Sequence, residues 1–221
     1  MEKADHPITR PASVVGLAGG IGSGKSVVAR ILAVRGYSVY DCDSRAKELM
    51  CRSPLKERLK EIVGQKCFAG DDTLDRGYLA SRIFTDEKLR CEVNRIVHQA
   101  VRDDIALQRC KRHKNHILFV ESAIFATAGL DKEAFEIWLV EAAREIRINR
   151  IRRRDPGLSD GEIERRLSAQ QHEESLLPPE KIKRIDNSGQ SSLLLRLDSL
   201  EKELIKRLED STKILNHNIL C

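Results

Sequence analysis

Apolar residues fall along this chain in two rhythms. Residues 13–17, 116–121 and 136–140 form short, nearly continuous apolar runs, the pattern of strands buried on both faces. Residues 37–40 alternate like a further strand, and 181–185 read as a last short one between Pro178-Pro179 and Asn187-Ser-Gly189. The other rhythm is helical. Residues 27–34 carry apolar positions at helical spacing, with Gly36 as a stop signal. The opening strand–helix–strand predicts a parallel sheet with helices on both faces.

Residues 44 to 112 read as mostly helical, interrupted at Pro54, Gly64 and the Gly70-Asp-Asp-Thr73 turn. So long a strandless stretch between two strands of one sheet predicts an inserted helical substrate-binding subdomain, with ordinary crossover helices as the alternative. A helix over 142–154 ends at Asp155-Pro-Gly157. Ser159 with Glu162 three residues on then forms a capping-box pattern that starts another. Leucines at helical spacing among charges predict an amphipathic helix over 191–210, packed on the body.

Between the first strand and its helix stands Gly19-Gly-Ile-Gly-Ser-Gly-Lys-Ser26, which fits G-x-x-x-x-G-K-[ST] in the context that motif requires. Glycines let backbone N–H groups approach phosphate oxygens, and the following helix aims its positive end at the same anion. Gly20, Ile21, Gly22, Ser23, Gly24, Lys25, Ser26 and Val27 are therefore the expected ATP cradle. Lys25 is expected at the β- and γ-phosphates, and Ser26 on Mg²⁺.

The fate of the phosphate needs further residues. No Asn-Lys-x-Asp base-reading motif of a GTPase occurs, and no partner domain of a motor ATPase fits. A small-molecule kinase instead needs a carboxylate beside the loop to take a proton from the acceptor hydroxyl. Asp41 and Asp43, at the end of the second strand, are the candidates. They are expected to lie on opposite strand faces with one facing the substrate, the alternative being turn or capping carboxylates. Arg147, Arg150, Arg153 and Arg154 recur at helical spacings before chain breakers, as in a lid that closes over a nucleotide; a solvated face is the alternative.

Composition narrows the classes. The 221 residues suffice for one globular unit. A formal charge of +5 admits a nucleic-acid binder, but aromatic residues make up only 4% and none interleaves with basic ones, which favours polyphosphate substrates and no nucleic acid. No apolar run is long enough to span a bilayer and the first thirteen residues lack the core of a secretory signal, so a cytoplasmic protein with no membrane partner is expected. Six scattered cysteines without a CxxC pair read as free thiols. A monomer is favoured, without a feature that settles the oligomeric state.

The ordered motifs resemble those of the dephospho-CoA kinase family from residue 14 to about residue 189. Beside the phosphate loop stand Tyr40-Asp-Cys-Asp43, then Leu74-Asp-Arg76, Arg82-Ile-Phe84 and His98 in the helical stretch. Arg150, Arg154-Asp155 and Glu164-Arg-Arg-Leu-Ser-Ala-Gln170 follow, and finally Ile185-Asp-Asn-Ser-Gly189. The resemblance implies a P-loop NTPase fold of class α/β, a three-layer α/β/α sandwich on a parallel five-stranded sheet. Its core is expected at 13–44, 113–143 and 178–190, with a helical CoA-binding insertion at 45–112, a lid at 144–177 and a C-terminal helix at 191–210. It also implies ATP- and Mg²⁺-dependent phosphorylation of the ribose 3′-hydroxyl of dephospho-CoA, with Asp43 as base and Lys25 and Arg150 stabilising the transferring group. Asn187 is implied near the adenine and Arg154 in the lid over ATP. Asp41, Arg76 and His98 are implied on the CoA side; for His98, helix packing is the alternative. Another small-molecule or nucleoside kinase, and a non-kinase nucleotide-binding regulator, stay open as alternatives. The chain departs from the family at Val27, at Gln99, and at Glu121-Ser-Ala-Ile-Phe-Ala-Thr127, where a Pro-Leu-Leu-x-Glu run is usual.

Overall fold

The computed structural model describes residues 11–70, 73–111 and 113–219, with side chains up to residue 213. Residues 1–10, the centre of the turn at 71–72, the expected helical end at 112 and the expected free thiol Cys221 lie outside the described residues. The other five cysteines are free thiols.

Five strands form the sheet: β1 (Ser13–Ala18), β2 (Ser38–Asp41), β3 (Ile117–Glu121), β4 (Ala134–Glu141) and β5 (Ile182–Asp186). Among the described residues, eight α-helices connect or follow them: α1 (Lys25–Val34), α2 (Cys42–Met50), α3 (Leu55–Val63), α4 (Arg76–Thr85), α5 (Glu87–Arg109), α6 (Arg144–Arg154), α7 (Asp160–Ser175) and α8 (Leu193–Ile219). The strand order is β2-β3-β1-β4-β5 and every pairing is parallel. This is the three-layer α/β architecture the pattern predicts.

Alternation along the strands explains the layers. Val14, Ala18, Leu118, Val120, Ile137 and Leu139 point to one face, where Val101 and Ile105 of α5 and Cys42 of α2 close the core. Val15, Leu17, Ile117, Phe119, Trp138 and Val140 point to the other, against Val28 and Leu32 of α1. Both faces are dry, so these strands carry no polar alternation.

The expected C-terminal helix is the second cover on the α1 face. Leu197, Leu200 and Leu204 of α8 are fully buried, each worth roughly 1.5–3 kcal/mol of burial. Arg35 pairs with Asp198 at 2.8 Å and also with Glu201. Glu136, buried within β4, accepts from Trp138 Nε1 at 2.6 Å and pairs with Arg207 of α8. A buried strand carboxylate is tolerated because both partners reach it.

Helices α3, α4 and α5 enclose a separate apolar cluster built on Leu55, Leu59, Val63, Phe68, Leu79, Leu89 and Val93. Its junction with the sheet is polar. Asp104 of α5 accepts from Tyr40 Oη at 2.8 Å and from Arg45 Nε and Nη2 at 2.8 and 2.9 Å. The fork of Arg45 holds the Asp104 carboxyl below its ordinary range, and burial pushes the Tyr40 phenol up. This network ties β2 and α2 to α5, and so sets the direction in which α2 leaves the sheet.

Candidate active site

Parallel strands bring their C-terminal ends to one edge, and the candidate residues gather there. Leu17 of β1, Glu121 of β3 and Asp41 of β2 share one register across the ladder. The loop leaving β1 runs into α1 through Gly24, whose φ of 95° is left-handed. Val27 and Val28 donate back to the Gly24 carbonyl at 2.9 and 3.3 Å. The N–H groups of Lys25 and Ser26 therefore have no partner within the helix and stand at its positive end.

A cavity of about 220 Å³ unites this loop with α6. It is lined by Gly20, Ile21, Gly22, Gly24, Lys25, Ser26 and Val27, and by Arg150, Ile151 and Arg154. Ser23 is buried beneath it. Lys25 Nζ pairs with Glu121 at 3.3 Å. Ser26 is exposed at the helix tip. Arg154 pairs with the neighbouring Asp155.

The arginines of α6 divide their work. Arg150 donates to the carbonyls of Gly22 and Ser23 at 3.1 Å each and to that of Asn187 at 2.9 Å, tying the loop to α6 and to the end of β5. Arg147 donates through Nε to the Ile21 carbonyl at 2.9 Å, while its Nη2 is buried over Gly20 with no hydrogen-bond partner among the described residues. A Cβ on Gly20 would fall 2.1 Å from that nitrogen. Gln170 of α7 accepts from the Ile21 N–H. Asn187 donates from Nδ2 to the Ser23 carbonyl at 2.8 Å, and a Cβ on Gly24 would lie 2.1 Å from Nδ2.

The two aspartates part company in a way strand alternation did not foresee. The strand ends at Asp41, so the expectation of opposite strand faces gives way to a helix start. Asp41 is the N-cap of α2, its carboxylate accepting from the Asp43 and Ser44 N–H groups at 3.0 and 3.2 Å and from Ser44 Oγ at 2.6 Å. Burial opposes ionisation, but these bonds hold the Asp41 carboxyl below its ordinary range. Asp43, one position into the first turn, is exposed, with no hydrogen bond to its carboxylate among the described residues. Between them, Cys42 is buried; burial and then the charges of Asp43, Asp41 and Glu121 push its thiol up.

His98 lies elsewhere, in a cavity of about 600 Å³ with Cys91, Asn94, Arg95, Arg102, Ile124 and Thr127. Burial and then the Arg102 charge lower its pKa, with Glu173 acting in opposition. Arg76 stands exposed at the first position of α4 and lines neither cavity. The unusual segment after β3 is held from within by Ser122 Oγ, which accepts from Ile124 N–H at 3.2 Å, and by Phe125, buried beneath β1.

The chain matches the family model described as dephospho-CoA kinase over residues 13–192. It belongs to the dephospho-CoA kinase family. The dephospho-CoA kinase of Geobacter sulfurreducens is 34% identical over 201 residues, 90% of this chain and 96% of that relative. The one from Porphyromonas gingivalis is 37% identical over 163 residues, 73% of this chain and 79% of its own length. Among solved structures, TT1252 from Thermus thermophilus superposes with a TM-score of 0.71 at 29% identity, covering 88% of this chain and 99% of that one. Dephospho-CoA kinase from Campylobacter jejuni, 20% identical, shares the fold with a TM-score of 0.61 over 87% of this chain and 97% of its own.

Family membership makes this chain a nucleotide-binding P-loop kinase. Motif reading named Arg147 and Gln170 only as members of longer runs, and it did not name Glu173. Arg147 was visible only as one cation in a basic run, and Gln170 as the end of a lid motif. Glu173 carries no local signal at all.

Proposed function

We propose that this kinase transfers the γ-phosphoryl group of ATP to the ribose 3′-hydroxyl of dephospho-CoA, giving CoA and ADP. The observation that carries the reading is the seating of Lys25 against Glu121 at the sheet edge where Asp41 leads directly into Asp43. A phosphate cradle and an open carboxylate thus share one rim.

In this reading Asp43 takes the proton of the 3′-hydroxyl as its oxygen attacks the γ-phosphorus, and the bridging oxygen leaves with ADP. Lys25 and Arg150 stabilise the charge that develops on the transferring group, with the loop N–H groups receiving the phosphates. Asn187 and Arg154 flank the nucleotide. Asp41 serves the acceptor side by shaping the turn that presents Asp43. His98 and Arg76 belong to the helical insertion, for which we propose residues 45–112, facing a lid of 144–177 and a core of 13–44, 113–143 and 178–190.

Among the described residues no cluster of three or more His, Cys, Asp or Glu side chains could hold a metal alone. The donors fit Mg²⁺ arriving with the nucleotide, which keeps few protein ligands: the Ser26 hydroxyl is open at the helix tip and Glu121 stands beside Lys25. Mg²⁺ would there spread the phosphate charge. No helix of the described residues is long and apolar enough to cross a membrane. A cytoplasmic, monomeric enzyme with no nucleic-acid partner is the setting we propose.

A coupled assay of ADP release with dephospho-CoA, adenosine and other hydroxyl acceptors tests the reading. Turnover that depends on dephospho-CoA is expected. Robust turnover with another acceptor and none with dephospho-CoA would overturn it, and hydrolysis indifferent to every acceptor would favour a nucleotide-binding regulator.

A further inference from the structure

The segment between β3 and β4 lines the cavity that holds His98, yet its backbone is irregular. Local bonds satisfy part of it: Ala128 N–H donates to Ile124 at 2.9 Å, Gly129 to Ala126 at 2.8 Å and Leu130 to Phe125 at 3.0 Å. Arg102 of α5 binds the Ala128 carbonyl at 2.7 Å. The N–H groups of Ala126 and Thr127 turn the other way. Both donate to one carboxylate oxygen, Glu173 Oε1 of α7, at 2.5 and 3.0 Å. Glu173 is only 8% exposed. An anion accepting two backbone donors out of water forms a strong, directional lock.

The same helix reaches the nucleotide side. Gln170, one turn before Glu173, accepts from the Ile21 N–H of the phosphate loop. Two side chains of one rigid helix thus hold the phosphate loop and the acceptor-side segment, and their separation is set by the helical rise.

We propose that Glu173 is a positioning residue, which locks residues 126–127 to the lid helix and so sets the shape of the acceptor cavity. It rests on the proposed function, with the cavity beside His98 taken as the place of part of dephospho-CoA. Glu173 acts through the segment and contacts no reacting atom.

Steady-state kinetics with ATP and dephospho-CoA, on the full chain and its Glu173→Ala, Glu173→Gln and Glu173→Asp variants, test this beside hydrogen exchange of peptides covering 122–130. Glu173→Ala is expected to raise KM for dephospho-CoA about tenfold or more, since both charge-assisted bonds are lost together. KM for ATP should stay within about twofold, and the 122–130 amides should exchange faster. Glu173→Gln keeps an acceptor oxygen and should hold the acceptor KM within about threefold. An unchanged acceptor KM in Glu173→Ala overturns the proposal, as does an equal loss for both substrates without rescue by glutamine. Should the alanine variant fail to fold, Glu173→Asp decides: its carboxylate is one methylene short, so a wild-type acceptor KM overturns it. Wild-type protein inactive on dephospho-CoA would instead sink the functional reading, and the exchange arm alone would then judge Glu173, with unchanged protection of 122–130 overturning the lock.

Discussion

Lys25 Nζ lies 3.3 Å from Glu121 Oε1, joining the phosphate loop to the end of β3, with both side chains 16% exposed. At such partial burial the attraction exceeds that of a surface pair. The pair keeps the ammonium at the cavity wall, where a triphosphate would compete with Glu121 for it. Lys25→Ala is expected to lower kcat/KM for ATP by about a hundredfold or more. Nucleotide titration should show weakened ground-state binding as well, and an unaltered affinity together with an unaltered rate would refute the assignment.

Asp41 and Asp43 should separate cleanly. Asp43→Asn removes a proposed base and is expected to cut kcat by about 10²- to 10⁴-fold, with ATP affinity within about twofold. Asp41→Ala removes an N-cap and should cost about 1 kcal/mol of stability, read in denaturant unfolding. If Asp43→Asn kept wild-type kcat, another group would have to accept the proton.

Asp104 gives a pH-dependent prediction. Its carboxyl is held low chiefly by the Arg45 fork, with Tyr40 adding a further bond. A depressed folded pKa means that the stabilisation is complete above the unfolded value of about 4 and is lost as pH falls through the folded one. Asp104→Asn should cost about 2 kcal/mol near neutrality, and the gap from wild type should narrow in acid. Parallel stability curves for the two proteins across pH 2 to 5 would count against the network.

His98 shows the same direction of pH dependence from a different cause. Burial, then Arg102, favours the neutral ring against the pull of Glu173. With its folded pKa below the unfolded value of about 6.5, wild-type stability should be complete above that pH and decline as protons bind the unfolded chain below it. His98→Gln should flatten the slope between pH 7 and 5, as followed by thermal unfolding at stepped pH.

Gly16 of β1 has a packing duty. A Cβ there would fall 2.5 Å from Cζ of buried Phe125. Gly16→Ala should destabilise by about 1–3 kcal/mol through overpacking. Adding Phe125→Leu should recover part of that loss, a non-additivity measurable in a double-mutant cycle.

Legibility in the sequence followed the range of each interaction. The phosphate loop was legible because eight consecutive residues carry its whole requirement: backbone freedom, a cation and a hydroxyl. The Ser159–Glu162 capping box was legible for the same reason, and both of its bonds form. Asp41 and Asp43 were found as a pair, but their division of labour turned on one boundary residue, the point where β2 becomes α2. Propensity does not resolve an end to that accuracy. Glu136 was hidden inside an apolar strand, because its partners, Trp138 and Arg207, include one supplied by a helix far along the chain.

Taken alone, the amino-acid order determined the strand and helix succession, the glycine-rich loop and the basic run of α6, since each is written in neighbours within one or two turns of backbone. Tertiary structure decided the strand order β2-β3-β1-β4-β5 and, through it, which distant side chains meet: Lys25 with Glu121, Arg147 with Ile21, and Glu173 with Ala126 and Thr127. Those meetings depend on register between strands and on where a lid helix comes to rest. Both are set by burial summed over the whole core, which no local stretch of sequence encodes.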